Sequence, residues 1–177
     1  SHKRSSKRIT RIIMLKIAKY PEQILRQTAK PISDFNDDLK ALADEMAEVM
    51  YKDDGIGLAA PQVSKSMRLI VVGTSRGKYR VYVNPEITFF SKDKGRSEEG
   101  CLSLPQIFGW VTRAKKIHVK YQDLEGNVYK EKLKGLESIV LQHELDHLNG
   151  ILFIDRAEKI SKGRELLDSL KAKLDEK

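Results

Sequence analysis

Gln142-His143-Glu144-Leu145-Asp146-His147-Leu148-Asn149-Gly150 is the stretch on which the reading of this chain turns. On an α-helix, residues four apart lie one above the other on one face, so the His143 and His147 imidazoles can reach a single ion. Glu144 then lies about 100° around the helix from His143, beside the ion without ligating it. That is the place of a general base for a metal-activated water. The preceding Leu136-Glu137-Ser138-Ile139-Val140-Leu141 is apolar on more than one side, and Leu145 and Leu148 continue the pattern. Such a helix is predicted to be buried, with Asn149-Gly150 as its C-terminal stop. Asp146 falls on the part of the helix turned away from the ion. A buried carboxylate needs a cation, and Arg113, in the strand-like stretch after Cys101, is its expected partner, against a lysine at another position.

Two imidazoles do not by themselves hold a catalytic metal, and an ordinary helix can carry the same letters. One large class of zinc peptidases adds a glycine and then a third histidine. Gly150 is present here, but the histidine slot holds Phe153. Another class takes a glutamate from a later helix; Glu158 and Glu165 are available, both in a charged, solvent-like context. The remaining candidate lies upstream: Cys101, the single cysteine. A peptidase and a metal-free scaffold both stay open at this point.

Working outward, 177 residues suit one domain with a substantial core. The composition, 40% hydrophobic and 33% charged, is that of a soluble protein, with no run long enough to span a bilayer. A lone cysteine excludes an internal disulfide and fits a reducing compartment. Of the net charge of +8, residues 1–13 contribute five positive charges (Lys3, Arg4, Lys7, Arg8, Arg11) and no acid. This segment reads as a basic N-terminal extension or the remnant of a transit peptide, and residues 14–177 as a single catalytic domain. The mild basicity that remains reads as an even surface charge, with nucleic-acid contact as the weaker alternative; neither a membrane nor DNA is the expected partner.

Apolar residues at 39, 42, 43, 46, 49 and 50 have a helical period, predicting a helix over 37–51 capped by Asn36 or Asp37. Strand-like runs follow at 68–72, 79–83 and 87–90. A hairpin is expected over 117–122 and 128–133 across Asp123-Leu124-Glu125-Gly126-Asn127. A charged amphipathic helix over 161–174 closes the chain. Strands first and the buried helix late argue an α+β fold: small mixed or antiparallel sheets wrapped around the central helix, with a C-terminal helix. Gly55-Ile56-Gly57 follows a helix and lacks the third glycine or Lys-Ser/Thr of a phosphate loop, so its small residues suit close backbone approach to a ligand.

Three motifs, Gly55-Ile-Gly57-Leu-Ala-Ala-Pro-Gln62, Glu99-Gly100-Cys101-Leu102-Ser103 and Gln142-His143-Glu144-x-Asp146-His147-Leu148-x-Gly150, stand in this order. Together they closely resemble those of peptide deformylases, metallohydrolases that remove formyl from N-terminal formylmethionine. The resemblance runs from Met14 to the final helix.

Residue by residue, it implies Cys101, His143 and His147 as ligands of one divalent metal, with Glu144 as acid/base. It implies Gln62 and the backbone N–H of Leu102 as donors to the developing oxyanion. Gly57 would align the substrate, and Ile56, Phe108, Leu136 and Ile139 would border the methionine pocket. Phe108 departs from the polar or charged residue frequent at its position. The resemblance further implies Fe2+ as the native ion, replaceable by Ni2+, Co2+ or Zn2+. It implies N-formylmethionyl nascent polypeptides as substrates, and a bacterial cytoplasmic or, with a transit peptide, organellar location. Action on nascent chains would favour ribosome contact through Lys162, Arg164, Lys171 and Lys173 of the last helix, against a simply solvated face with Asp168, Asp175 and Glu176 interleaved.

Overall fold

The helix carrying the two histidines is the central element of the computed structural model, which describes residues 15–75 and 77–176. The basic extension at 1–13 lies outside the described residues. In chain order the elements are α1 (Asp37–Lys52), β1 (Gly57–Ala59), β2 (Leu69–Gly73), β3 (Tyr79–Phe90), β4 (Lys94–Cys101) and β5 (Leu104–Ala114). They continue with β6 (Lys116–Gln122), β7 (Val128–Lys134), α2 (Leu136–Leu148), the single turn α3 (Phe153–Arg156), β8 (Lys159–Lys162) and α4 (Arg164–Asp175).

Two sheets flank α2. One runs β1-β2-β3-β6-β7, the other β4-β5-β8, and every named pairing is antiparallel. The inward residues of β6 and β7, Ile117, Val119, Tyr121 and Leu133, pack on Leu141 and Leu148 of α2. On the other side of the core, α1 lays Leu39, Ala43, Met46 and Met50 against Leu69 and Val71 of β2. Asn36 caps α1: its side-chain oxygen accepts the Leu39 N–H at 3.0 Å. A third cluster joins Leu104, Ile107 and Val111 of β5 to Phe153 and to Leu167 of α4. Nine of the thirteen residues of α2 are buried, among them His143, Glu144, Asp146 and His147. Gly150 ends this segment with φ 71°, in a place where a β-carbon would lie 2.5 Å from the Arg26 carbonyl oxygen. Only glycine fits both constraints.

The structure departs from the sequence expectations in three places. The two runs at 79–83 and 87–90 form one strand, β3, bent by register shifts between Val83/Glu86 and Ile87/Phe89. The sequence pattern predicts no strand over most of the β4–β5 hairpin. Lys94–Cys101 reads Lys-Gly-Arg-Ser-Glu-Glu-Gly-Cys, which has no apolar alternation, so only pairing with β5 makes it a strand. Residues 159–162 pair with β5 as β8, and the last helix starts later than 161, at Arg164 behind Gly163.

Candidate active site

β4 and α2 together build a donor cluster. A register shift between Gly100 and Cys101 ends the regular β4–β5 pairing where the cysteine faces α2. Cys101, His143 and His147 each present one donor atom, and these atoms all lie within 4.8 Å of one another. Cys101 Sγ is 3.2 Å from His147 Nε2. One thiol and two imidazoles converging in this way form a donor set suited to Zn2+ or Fe2+. One further observation fits such an ion: Glu144 Oε2, beside the donors, is buried without a hydrogen-bond partner. Burial holds His147 well below its usual range, hence neutral and able to offer a lone pair.

A charged chain supports this cluster from behind. Glu99 Oε1 is 2.8 Å from His143 Nδ1, leaving His143 Nε2 for the donor side. Arg113 grips Glu99 with two bonds of 2.8 Å, from Nε and Nη2, and reaches Asp146 Oδ2 at 2.8 Å through Nη1. Arg156 holds the same Asp146 with bonds of 2.6 and 3.0 Å. Burial alone would raise Glu99, but hydrogen bonds from Arg113 and His143 outweigh it and hold the carboxyl at about 2. For His143 burial works downward, while the Cys101 sulfur and the Glu99 carboxylate raise it to about 10. Burial pushes Glu144 up to about 7, opposed by His143 and assisted by Glu99.

In front of the donors lies a cleft of about 750 Å³, lined among others by Ile56, Gly57, Gln62, Cys101, Leu102, Phe108, Val140, His143 and Glu144. Gln62 is buried. Its side-chain oxygen accepts the Ala59 N–H at 3.0 Å, which turns its amide nitrogen toward Cys101 Sγ at 3.4 Å and Ser103 Oγ at 3.2 Å. β1 runs so close to α2 that a β-carbon on Gly57 would lie 2.9 Å from Val140 Cγ1 and 3.0 Å from Glu144 Cγ. The cleft therefore brings together a cation site, a buried carboxyl and an amide donor, the parts of a hydrolytic centre.

The family model of polypeptide deformylase matches residues 14–163. The chain belongs to the peptide deformylase family. This is a family of metal-dependent hydrolases that remove the N-formyl group from nascent polypeptides, and the chain is such an enzyme. A peptide deformylase of Thermotoga sp. (strain RQ2) is 45% identical over 158 residues, 88% of this chain and 96% of that protein. A chloroplastic peptide deformylase 1B of Oryza sativa is 45% identical over 168 residues, 92% of this chain and 62% of its own length. The crystal structure of Thermotoga maritima peptide deformylase superposes with a TM-score of 0.80 at 43% identity, covering 82% of this chain and 99% of the other. Among the described residues, no helix is long and apolar enough to cross a membrane.

Two pocket positions expected from the deformylase resemblance sit elsewhere. Leu136, in the first turn of α2, is 65% exposed, and Ile139 lines a separate depression beside Phe89, Lys116 and Lys134. The cleft-facing stripe of α2 is Val140, His143 and Glu144, at i, i+3 and i+4. Leu136 shares that stripe but lies a turn farther out, and Ile139 is rotated off it. Sequence reasoning also left Glu99 and Arg156 without a role. A metal-binding histidine needs an acceptor for its second nitrogen, so the acid at Glu99, two residues before Cys101, carried a usable signal. Arg156 carried none, because α3 alone brings it to Asp146.

Proposed function

We propose that residues 14–177 act as a single catalytic domain, which takes the formyl group from N-terminal formylmethionine and releases formate. The convergence of Cys101, His143 and His147 beside the buried Glu144 carries this reading. These three residues would hold the divalent ion, for which we take Fe2+ as the native species and Ni2+, Co2+ or Zn2+ as substitutes. When bound, the ion supplies a Lewis acid that polarises the formyl carbonyl and acidifies water. Glu144 accepts the proton of the attacking water at its carboxylate and returns it to the departing amine as the formyl C–N bond breaks. A carboxyl raised to about 7 suits both transfers, since it holds or yields a proton near neutrality. Gln62 Nε2 and the Leu102 N–H donate to the oxyanion. Ile56 and Phe108 flank the methionine side chain, and the Gly57 backbone lines up beside the substrate peptide.

Ribosome contact through Lys162, Arg164, Lys171 and Lys173 belongs to the same proposal. Against it stands the interleaved Asp168, which pairs with Arg164 at 3.4 Å. Truncation after Arg156 should abolish a salt-sensitive co-sedimentation with ribosomes. Its place of action in this reading is a bacterial cytoplasm or, with a transit peptide, an organelle, and the bacterial and chloroplastic relatives support both.

The decisive assay is formate release from a formylmethionyl tripeptide by iron- or cobalt-loaded protein. Cleavage of an unformylated peptide would instead establish a metallopeptidase, and no turnover of either a scaffold.

A further inference from the structure

The face of β6–β7 turned away from the buried Ile117, Val119 and Leu133 carries a ladder of cations, its Lys116–Lys134 end bordering the depression that Ile139 of α2 also lines. The register sets Lys116 against Lys134, His118 against Lys132 and Lys120 against Lys130. All five lysines are exposed. Among the described residues none of their ammonium groups is engaged in an ion pair. Glu86 of β3 is the acid in register with the ladder, opposite Lys120. Beside the middle rung, Phe89 is 47% exposed, its ring centroid 4.6 Å from that of His118.

Like charges directly opposite one another on neighbouring strands destabilise a pairing. β7 is an edge strand, and lysines on an edge strand protect it from further pairing. That accounts for one row, at Lys130, Lys132 and Lys134. It does not account for the second row on β6, an interior strand, where opposite charges would have protected the edge equally and stabilised the pairing as well. The arrangement makes sense if a polyanion lies along it. Rungs two residues apart repeat about every 7 Å, giving a short two-row cationic track with an aromatic ring at its side. Electrostatic tracks of this kind hold a phosphate backbone, and an exposed ring stacks an unpaired base.

We propose that the outer face of β6–β7 binds single-stranded or looped RNA, its phosphates along the two cationic rows and a base on Phe89. The choice of RNA rests on the family's action on nascent polypeptides, which emerge beside RNA. Neither the ladder residues nor Phe89 line the catalytic cleft, which stays open while the face is occupied.

The test uses the full, metal-loaded chain and a fluorescein-labelled 20-nucleotide single-stranded RNA, titrated over a range of salt. Lys130→Gln/Lys132→Gln/Lys134→Gln should weaken binding at least tenfold. It should also flatten the slope of log affinity against log salt by about 2, at about 0.7 per lost contact. Formate release from a formylated tripeptide should be unchanged, and the variant should melt no lower than the parent, since repulsion has been removed. Should it unfold, Lys116→Gln/Lys120→Gln replaces it, with weaker binding and a slope flattened by about 1.4. A change below twofold with an unaltered slope would overturn the proposal. So would loss of binding only when Lys162, Arg164, Lys171 and Lys173 are neutralised. Displacement of the RNA by equal charge concentrations of poly-glutamate would overturn it in favour of an acidic protein partner.

Discussion

Glu99 Oε1 lies 2.8 Å from Nδ1 of His143, and both oxygens of that carboxylate are held by Arg113. This contact fixes which nitrogen of His143 faces the donor cluster and increases its basicity toward a cation. Arg113 in turn makes the carboxylate permanent at any ordinary pH, and its third bond, to Asp146 of the same helix, ties β4, β5 and α2 into one unit.

Glu99→Gln keeps the shape and removes the charge. Metal affinity should fall about 10–100-fold, the usual consequence of losing such an outer partner, while turnover per bound ion changes less. Competition with a chelator measures the first and metal-normalised kcat the second. Unaltered affinity would show that Arg113 and Glu99 serve only the packing.

The same carboxylate predicts acid behaviour. Its folded pKa, about 2, lies below the ordinary value of 4.5. Its stabilisation is therefore fully present above about pH 4.5 and is lost as pH falls toward 2. Urea unfolding of metal-free parent and Glu99→Gln should give free energies that differ at pH 5 and converge by pH 2. A gap independent of pH would assign the difference to something other than this ionisation.

Glu144→Gln should leave metal content intact and lower kcat by about 10²–10⁴-fold or more, because one residue moves the proton in both directions. Near-parental turnover by a metal-replete variant would remove Glu144 from the mechanism.

Gly57→Ala places a methyl group 2.9 Å from Val140 and 3.0 Å from the Glu144 side chain. Overpacking there should cost about 1–3 kcal/mol of stability. Because Glu144 itself must move, kcat should drop about 10- to 100-fold even well below the melting temperature. A variant that melts lower yet turns over normally would separate β1–α2 packing from the placement of the carboxylate.

Cys101, if a metal-bound thiolate, should resist alkylation in the loaded protein and react once the ion is chelated. Thiol titration before and after chelation reads this directly. Equal rates in both states would leave His143 and His147 without their third ligand.

Much of this was legible in the sequence because it is local. The i, i+4 spacing of His143 and His147, the position of Glu144 between them, the Asn36 cap and the turn at 123–127 each depend on a few neighbouring residues. Backbone geometry alone relates those residues. The pairing of Arg113 with Asp146 was legible for a different reason: a carboxylate on a buried helix must be neutralised, and Arg113 stands in the strand-like stretch after Cys101. What only the tertiary structure decided depends on contacts between distant segments. β4 is a strand because β5 lies beside it, not because Lys94–Cys101 alternates. The stripe of α2 that faces the cleft is set by where β1 crosses the helix, which is why Val140 lines it while Leu136 and Ile139 do not. Arg156 reaches Asp146 only after α3 has turned back toward α2. The cationic ladder exists only once β6 and β7 are in register, since no local pattern in either strand sets one row of lysines against the other.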